Sequence, residues 1–513
     1  MAAAGGVTLT LIGASLTTAS PASADGHTAL ATSLVQEVRL NNVNRHLVAL
    51  QRIATLNGGT RVASSPGHAA SAQYIAERLE TAGYSVQLQE FAFPYEETLA
   101  ETARVVSPTA RTISPVVVMQ YSPNTVAGGI TAPLSVLPDA ADATPGCEAT
   151  DFTGGPYTGT IVLIQRGACT FQTKHDNAAA AGAVGVLVYN NVENPAEAVN
   201  GRLTDATSGR IPIAGLTRAE GEALRAEAAA GALTINLDLR LIRETRTTHN
   251  VIAETRGGRA DNVVMAGAHL DSVVEGPGIN DNGSGSAVLL ETALQLARHP
   301  VTNKVRFAWW SAEEFGLLGS AHYVSQLGFE QQLDIALYLN FDMVASPNFV
   351  RFVYDGDDSD AVGEGPGPSG SAEIEQVFNS YYESRDLAYE GTDFTGRSDY
   401  GPFIAAGIPS GGLFTGAEGV KTAEQAARYG GTAGQAYDPC YHQACDTLRN
   451  INRTVLDQNA DAIAWAIGLF ATDTSAVNGA SLLSRQGLGA QARTFSAQRA
   501  AVVGHHDEHR TAS

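Results

Sequence analysis

Basic residues are scarce in this chain of 513 residues: lysine and arginine total 32 against 53 aspartates and glutamates, a formal net charge of −21. A chain this acidic repels phosphate, which argues against nucleic acid and anionic membranes as partners and favours a soluble monomer. Long apolar runs are also missing. No stretch reaches the roughly 20 residues that a bilayer span requires, so no membrane span is expected. Cysteine is sparse, with four residues and no CxxC spacing. They fall into two local pairs, Cys147 with Cys169 and Cys440 with Cys445, which reads as two structural disulfides rather than a thiolate metal cluster. No internal repeat is visible. The first residues lack a positive start, with no lysine or arginine before Arg39. They do contain a modest apolar centre and an Ala22-Ser23-Ala24 motif of the A-x-A type. Residues 1–24 are therefore expected to be a signal peptide and the protein to be secreted and extracellular.

What is present is a large apolar fraction, 44%, in a chain long for one domain, so two domains are the expectation. Residues 28–97 begin with two helical patterns. The stronger, RVASSPGHAASAQYIAERLETAGY, ends at Gly83, and a strand-like SVQLQEFAF follows. Residues 98–244 change character, with short β-type runs (PVVVMQY, APLSVL, GTIVLIQRG, GAVGVLVYN) and one helix, FQTKHDNAAAAGA. They read as a small β-rich domain inserted into a larger α/β domain made of 28–97 and 245–474. Lys174 and His175 are expected on the surface of the insert's helix. Residues 475–513, without sustained periodicity, are expected to be a disordered or removable tail. His505, His506 and His509 within it are expected to be inert.

The stretch VVMAGAHLDSVVEGPGINDNGSG, from Val263 to Gly285, joins an apolar strand to a polar loop. The helix that follows shows apolar residues Ala287, Leu290, Ala293, Leu294 and Ala297 on one face, an amphipathic pattern. Loops beyond the carboxyl ends of strands carry the ligand site in open α/β sheets, which places His269 and Asp281 there. Further strand-end loops supply Glu313 and Glu314 after KVRFAWW, Asp342 after ALYLNF, then Arg397 and, last, His442. Two histidines and several carboxylates at one sheet edge suit a pair of zinc ions, bridged by one carboxylate at roughly 3.5–4 Å separation. Asp281 suits the bridge. Asp271, two residues beyond His269, is expected to accept the imidazole's far N–H. Of the adjacent Glu313 and Glu314, one can bind metal and the other act as general base.

The ordered set GAHLDSV…GINDNGSG, FAWWSAEEFGLLGS, YLNFDM, GRSDYGPF…GGLFTG and GGTAGQAYDPCYHQACD resembles the secreted co-catalytic di-zinc aminopeptidases of the bacterial leucyl aminopeptidase type. The likeness covers residues 35–95 and 245–472. It implies a mixed, mostly parallel sheet flanked by helices, the zinc-exopeptidase or phosphorylase/hydrolase-like fold. It implies two zinc ions: Asp281 bridges, His269 and Asp342 complete one site, and Glu314 and His442 the other. Glu313 would be the general base and Tyr441 a donor to the oxyanion. The substrate's α-amine would lie near Glu313, Asp342 and Arg397, with Met343 and Phe414 lining the pocket for a large apolar first residue such as leucine. Cys440–Cys445 would brace the loop carrying Tyr441 and His442. Some relatives carry calcium; Asp457 and Asp461 match its carboxylates, and Glu37 stands where those proteins have aspartate. The insert, with GTIVLIQRGACTFQTKHDNAAAAGAVGVLVYNN, resembles a protease-associated (PA) domain, a type linked to substrate access or protein contacts.

The implied activity is zinc-dependent removal of N-terminal residues from peptide or protein substrates with a free N-terminus. Two alternatives stand beside it. A non-catalytic receptor ectodomain would have lost its metal ligands, whereas all five and the Glu313 base are present. A carboxypeptidase or glutaminyl cyclase could use the same metals; Glu313 and Asp342 beside a single Arg397 favour an amine over a carboxylate.

Overall fold

The computed structural model describes residues 24–138, 144–192, 197–205, 207–363 and 365–479. They form two compact units, one from the chain up to Phe93 and from Thr247 onward, the other from Pro94–Arg246. The expected signal peptide, apart from Ala24, lies outside the described residues, as do the three tail histidines.

Three helices, not two, open the chain: α1 (Ala24–Glu37), α2 (Leu40–Leu56) and α3 (Pro66–Ala82). The start of α3 is written locally, since Ser65 Oγ caps the His68 N–H and Pro66 takes the first turn. Gly83, at φ 99°, closes it. β1 (Ser85–Ser107) leads to β2 (Arg111–Ile113), β3 (Val116–Val118), β4 (Ile130–Val136) and β5 (Ile161–Gln165). Next come α4 (Phe171–Ala180), β6 (Gly185–Tyr189), β7 (Ile213–Leu216), α5 (Arg218–Ala230) and β8 (Thr234–Glu254). β9 (Arg259–His269), α6 (Gly283–Leu296), β10 (Asn303–Trp310), α7 (Leu318–Gln326), α8 (Phe329–Asp334) and β11 (Ile335–Phe341) follow. β12 (Phe352–Tyr354), α9 (Ser371–Ser384), β13 (Glu390–Thr392), α10 (Tyr400–Ala405) and β14 (Ser410–Phe414) come next. The last are α11 (Ala423–Tyr429), α12 (Arg453–Thr472) and α13 (Ser475–Asn478).

In the first unit the strand order is β13-β12-β14-β11-β9-β10-β8. β14, β11, β9 and β10 run parallel, while β8 is antiparallel to β10 and β12 to β14. The sheet is thus mixed and mostly parallel, and its central strands are buried on both faces, as helix-covered strands must be. Val264, Ala266 and Ala268 of β9 join a core with α2, α3, α6 and α12, and Met265 between them joins Trp310, Tyr338 and Phe403 on the other face. Helix α6 corrects the amphipathic reading. It is buried almost all round, Leu294 is only half-buried and Ala297 just past its end is exposed. Its small residues let neighbouring helices and β9 close on every side, so no solvent face remains to be read.

The expected tail begins too early. Ser475–Asn478 form α13, and Val477 packs into the main core. Truncation after Thr474 is therefore expected to cost about 1.5–3 kcal/mol, the burial of one aliphatic side chain. Truncation after Gly479 is expected to leave the urea midpoint unchanged, and equal midpoints for the two variants would contradict the packing role of Val477.

In the second unit β4, β5, β6 and β7 pair in parallel and β3 closes the edge antiparallel to β7. Its two faces hold separate cores, one with Leu224 of α5, the other with Ala178 of α4. Cys147 and Cys169 are disulfide-bonded. Lys174 and His175 are not surface residues: both are fully buried. Lys174 Nζ donates to the Pro145 carbonyl, and His175 Nε2 accepts from Arg210 N–H at 3.0 Å and Ile211 N–H at 3.2 Å. These main-chain partners give both polar groups a reason to be inside.

Candidate active site

The loops that leave the carboxyl ends of β9, β10 and β11 converge, and a later loop brings Tyr441 and His442 to them. His269 is the last residue of β9. The β9–α6 loop carrying Asp281 is held by residues for which the sequence offered no local signal. Arg61, fully buried, donates to the carbonyls of Leu270, Pro277 and Gly278, and its own N–H meets Ser272 Oγ at 2.9 Å. Asp446 accepts the Asn280 and Asp281 N–H groups at 2.8 and 2.9 Å. Asp438 accepts from the Asn280 side chain at 2.7 Å, and Asn450 bridges both aspartates. Arg61→Met would remove the guanidinium donor from the buried carbonyls of Leu270, Pro277 and Gly278, the last of which keeps the Gly283 N–H. It is expected to lower stability by about 3–5 kcal/mol, the usual cost of breaking a buried charged site; an unchanged urea midpoint would contradict that.

His269 Nε2 lies 3.1 Å from Asp281 Oδ1 and 3.2 Å from Asp342 Oδ1. His442 Nε2 lies 3.3 Å from Asp281 Oδ2 and 3.1 Å from Glu314 Oε2. Asp281 therefore stands between the two imidazoles, one oxygen toward each. Glu313 Oε2 is 3.9 Å from His269 Nε2. His269, Asp281 and Glu314 present ligand atoms within 4.8 Å of one another, as do His269, Glu313 and Asp342. Both adjacent glutamates thus face the centre, which alternation along a strand forbids. The chain has already left β10: Ala312 takes φ 57°, and the Glu313 and Glu314 N–H groups turn onto the Asp271 carboxylate at 3.2 and 3.3 Å.

Asp271 consequently works differently from the sequence expectation. The strand ends before it, and His269 Nδ1 lies 3.2 Å from its main-chain carbonyl but 3.8 Å from Oδ1. The carboxylate instead fixes the turn that aims both glutamates. Left-handed backbone at three non-glycine residues, Ala312, Met343 (φ 51°) and His442 (φ 55°), marks the same centre. Such conformations cost about 1–3 kcal/mol each and persist where surrounding structure imposes them.

Four carboxylates and two imidazoles gathered here need counter-charge. Burial opposes charge on His269, yet the carboxylates of Asp342 and Glu313 outweigh it and hold its pKa well up. Burial likewise opposes charge on His442, but Asp281 and Glu314 raise its pKa to about 10. Burial, then Asp342 and Asp399 nearby, pushes the Glu313 carboxyl up. Glu314 Oε1 is buried without a hydrogen-bond partner. An orphaned carboxylate oxygen amid uncompensated negative charge and N/O donors is what divalent cations satisfy, so the residues fit a metal pair.

A cleft of about 400 Å³ opens over the centre, bounded by Met343, Arg397, Phe414 and Tyr441 among others. Tyr441 stacks on His442 at 3.8 Å, and its oxygen accepts from Arg397 Nη2 at 3.2 Å. Arg397 also meets Glu418 at 2.6 Å. A disulfide joins Cys440 and Cys445, five positions apart, on either side of this pair. A larger cavity, about 840 Å³, lies in the second unit beside Cys169 and Phe171, without the carboxylate–imidazole cluster. The calcium candidates are less assembled. Glu37 Oε2 meets His299 Nε2 at 3.0 Å, and burial, then the charge of Asp457 one turn away on α12, raises the Asp461 pKa to about 6.

The model of peptidase family M28 matches residues 250–467, and that of the PA domain residues 130–224. An aminopeptidase of Pseudomonas aeruginosa is 45% identical over 471 residues, 90% of this chain and 86% of that one. Leucine aminopeptidase 2 of Trichophyton tonsurans is 42% identical over 443 residues, 85% of each chain. Among solved structures, a zinc aminopeptidase of Bacillus subtilis aligns with a TM-score of 0.56 at 28% identity, covering 83% of this chain and 94% of that one. Fold and donor set together define a metallohydrolase. The chain belongs to peptidase family M28, among its metallo-aminopeptidases, and carries a PA domain.

Proposed function

We propose that the protein is a secreted aminopeptidase, dependent on two zinc ions, that removes large apolar first residues such as leucine from peptides. The observation that carries this reading is the Asp281 carboxylate set between His269 and His442, with Asp342 and Glu314 completing a site on either side. His269, Asp281 and Asp342 would hold one ion, and Asp281, Glu314 and His442 the other. When bound, the ions supply Lewis acidity that polarises the scissile carbonyl and acidifies water. Glu313, whose carboxyl is buried and easily protonated, takes the proton from the attacking water and returns it to the leaving amine. Tyr441 receives a hydrogen bond from Arg397, so its own proton is free to point at the developing oxyanion. A guanidinium cannot attract an ammonium group, and Arg397 is engaged by Glu418 and Tyr441. The free α-amine therefore finds its counter-charge in Glu313 and Asp342, while Met343 and Phe414 bound the pocket for the first side chain.

The catalytic domain is read as 28–97 with 245–479, which takes in α13, and 98–244 as the PA insert. Its disulfides suit an oxidising, extracellular setting. Among the described residues no helix is long and apolar enough to cross a membrane. The test is mass spectrometry of a Leu-initiated heptapeptide during digestion. Stepwise loss of residues from the N-terminus supports the proposal. Loss from the C-terminus would point to a carboxypeptidase, and loss of ammonia from a Gln-initiated peptide without cleavage to a cyclase.

A further inference from the structure

The turn that carries Glu313 and Glu314 begins where β10 leaves the sheet, and one side chain of β8 marks the place. The antiparallel register of the two strands ends at Val251 opposite Trp309. Ser311, the first residue beyond β10, sends its N–H not to the main chain of β8 but to Asn250 Oδ1, at 2.9 Å. Asn250 Nδ2 donates to the Gly319 carbonyl at 2.9 Å and to Gln89 Oε1 of β1 at 3.0 Å. Asn250 is fully buried. Its amide cannot be turned over, because a main-chain N–H faces one end and a main-chain carbonyl the other. One side chain therefore holds both ends of the segment 311–319.

The two ends also meet directly. A Cβ at Gly319 would lie 2.2 Å from the Ser311 carbonyl oxygen and 2.4 Å from Asn250 Oδ1, so glycine is what lets them approach. Within the segment, Leu318 N–H donates to the Ala312 carbonyl at 3.0 Å and Leu317 N–H to the Glu313 carbonyl at 2.9 Å. Thr248, on the same face of β8 as Asn250, meets Ser311 Oγ at 2.7 Å. Had Ser311 extended the ladder with β8, residues 311–314 would have stayed on the strand. Alternation would then have sent one of the two glutamates away from the centre. A side-chain acceptor ends the ladder without leaving the buried Ser311 N–H unpaired, which would cost about 1–3 kcal/mol.

We propose that Asn250 is a positioning residue: by taking the Ser311 N–H and the Gly319 carbonyl it closes the base of the loop and holds Glu313 within reach of the water it deprotonates. The proposal rests on the reading of Glu313 as the general base. It is tested with leucine p-nitroanilide at saturating zinc and saturating substrate, with kcat expressed per folded molecule. In Asn250→Leu, close in size but without either hydrogen bond, kcat is expected to fall by about 10²-fold, the effect of displacing a catalytic group by roughly 1 Å. KM is expected to change far less. A merely structural role would lower the folded fraction and leave the kcat of folded enzyme as it was. Gly319→Ala forces the same two ends apart with Asn250 in place and is expected to lower kcat likewise; it carries the test if Asn250→Leu does not fold. Because both substitutions act on one loop base, the double variant is expected to lose no more than the worse single variant. Wild-type kcat in folded Asn250→Leu, or in Gly319→Ala where only that variant folds, would overturn the proposal. So would a KM that rises as much as kcat falls, or losses that multiply in the double variant. A wild-type protein that leaves leucine p-nitroanilide intact, or a Glu313→Gln variant with full turnover, would overturn the reading of the base, and the proposal with it.

Discussion

Glu313→Gln is expected to lower kcat by about 10²–10⁴-fold, the range for loss of a general base, while both zinc ions stay bound. The two adjacent glutamates are separated by their surroundings. Glu314 Oε2 lies 3.1 Å from His442 Nε2, at ordinary contact distance, whereas Glu313 stops 3.9 Å from His269. Glu313 lies far enough from the imidazole to keep its carboxylate for the substrate's water. Its burial favours the protonated form it must pass through in each turnover. The amide isostere preserves shape and the turn made on Asp271 but cannot take a proton. Metal analysis of the purified variant decides the assignment: zinc lost from Glu313→Gln and retained in Glu314→Gln would mean that the two roles are exchanged.

Asp281→Ala is expected to disturb both metal sites, with zinc stoichiometry falling below two and turnover lost with it. Among the described residues only Asp281 sends one oxygen toward each imidazole, at 3.1 and 3.3 Å. Its main chain is pinned by Asp446, which holds its carboxylate between the two imidazoles. Its loss should weaken zinc binding by more than the roughly 10–100-fold attached to outer partners. Full zinc occupancy in Asp281→Ala under dilute-chelator dialysis would refute the bridging role.

The parts of the site legible in the sequence were those written as local strand-loop motifs. His269, Asp281, Glu314 and Asp342 come together because strand ends in a parallel sheet share one edge, whereas His442 reaches them on the loop between α11 and α12, with no sheet strand before it. What was not legible depends on burial imposed from elsewhere in the chain. Arg61 is a lone arginine ahead of a helix, and only the folded loop supplies its three carbonyl partners. Lys174 and His175 lie on a helix that reads as polar, and become interior because main-chain partners meet them. Asp271 is two residues from His269 in sequence, but β9 stops at His269, and the Asp271 carboxylate holds the Glu313–Glu314 turn. The positive φ of Ala312, Met343 and His442 has no sequence signature at all, since none is glycine.

The most direct test is release of p-nitroaniline from leucine p-nitroanilide by the purified protein, beside the N-acetylated substrate and beside a zinc chelator. Cleavage of the free-amine substrate alone, abolished by chelator and restored by zinc, is the expected result. Cleavage of the acetylated substrate at a similar rate, or activity untouched by chelator, would contradict an amine-anchoring zinc centre.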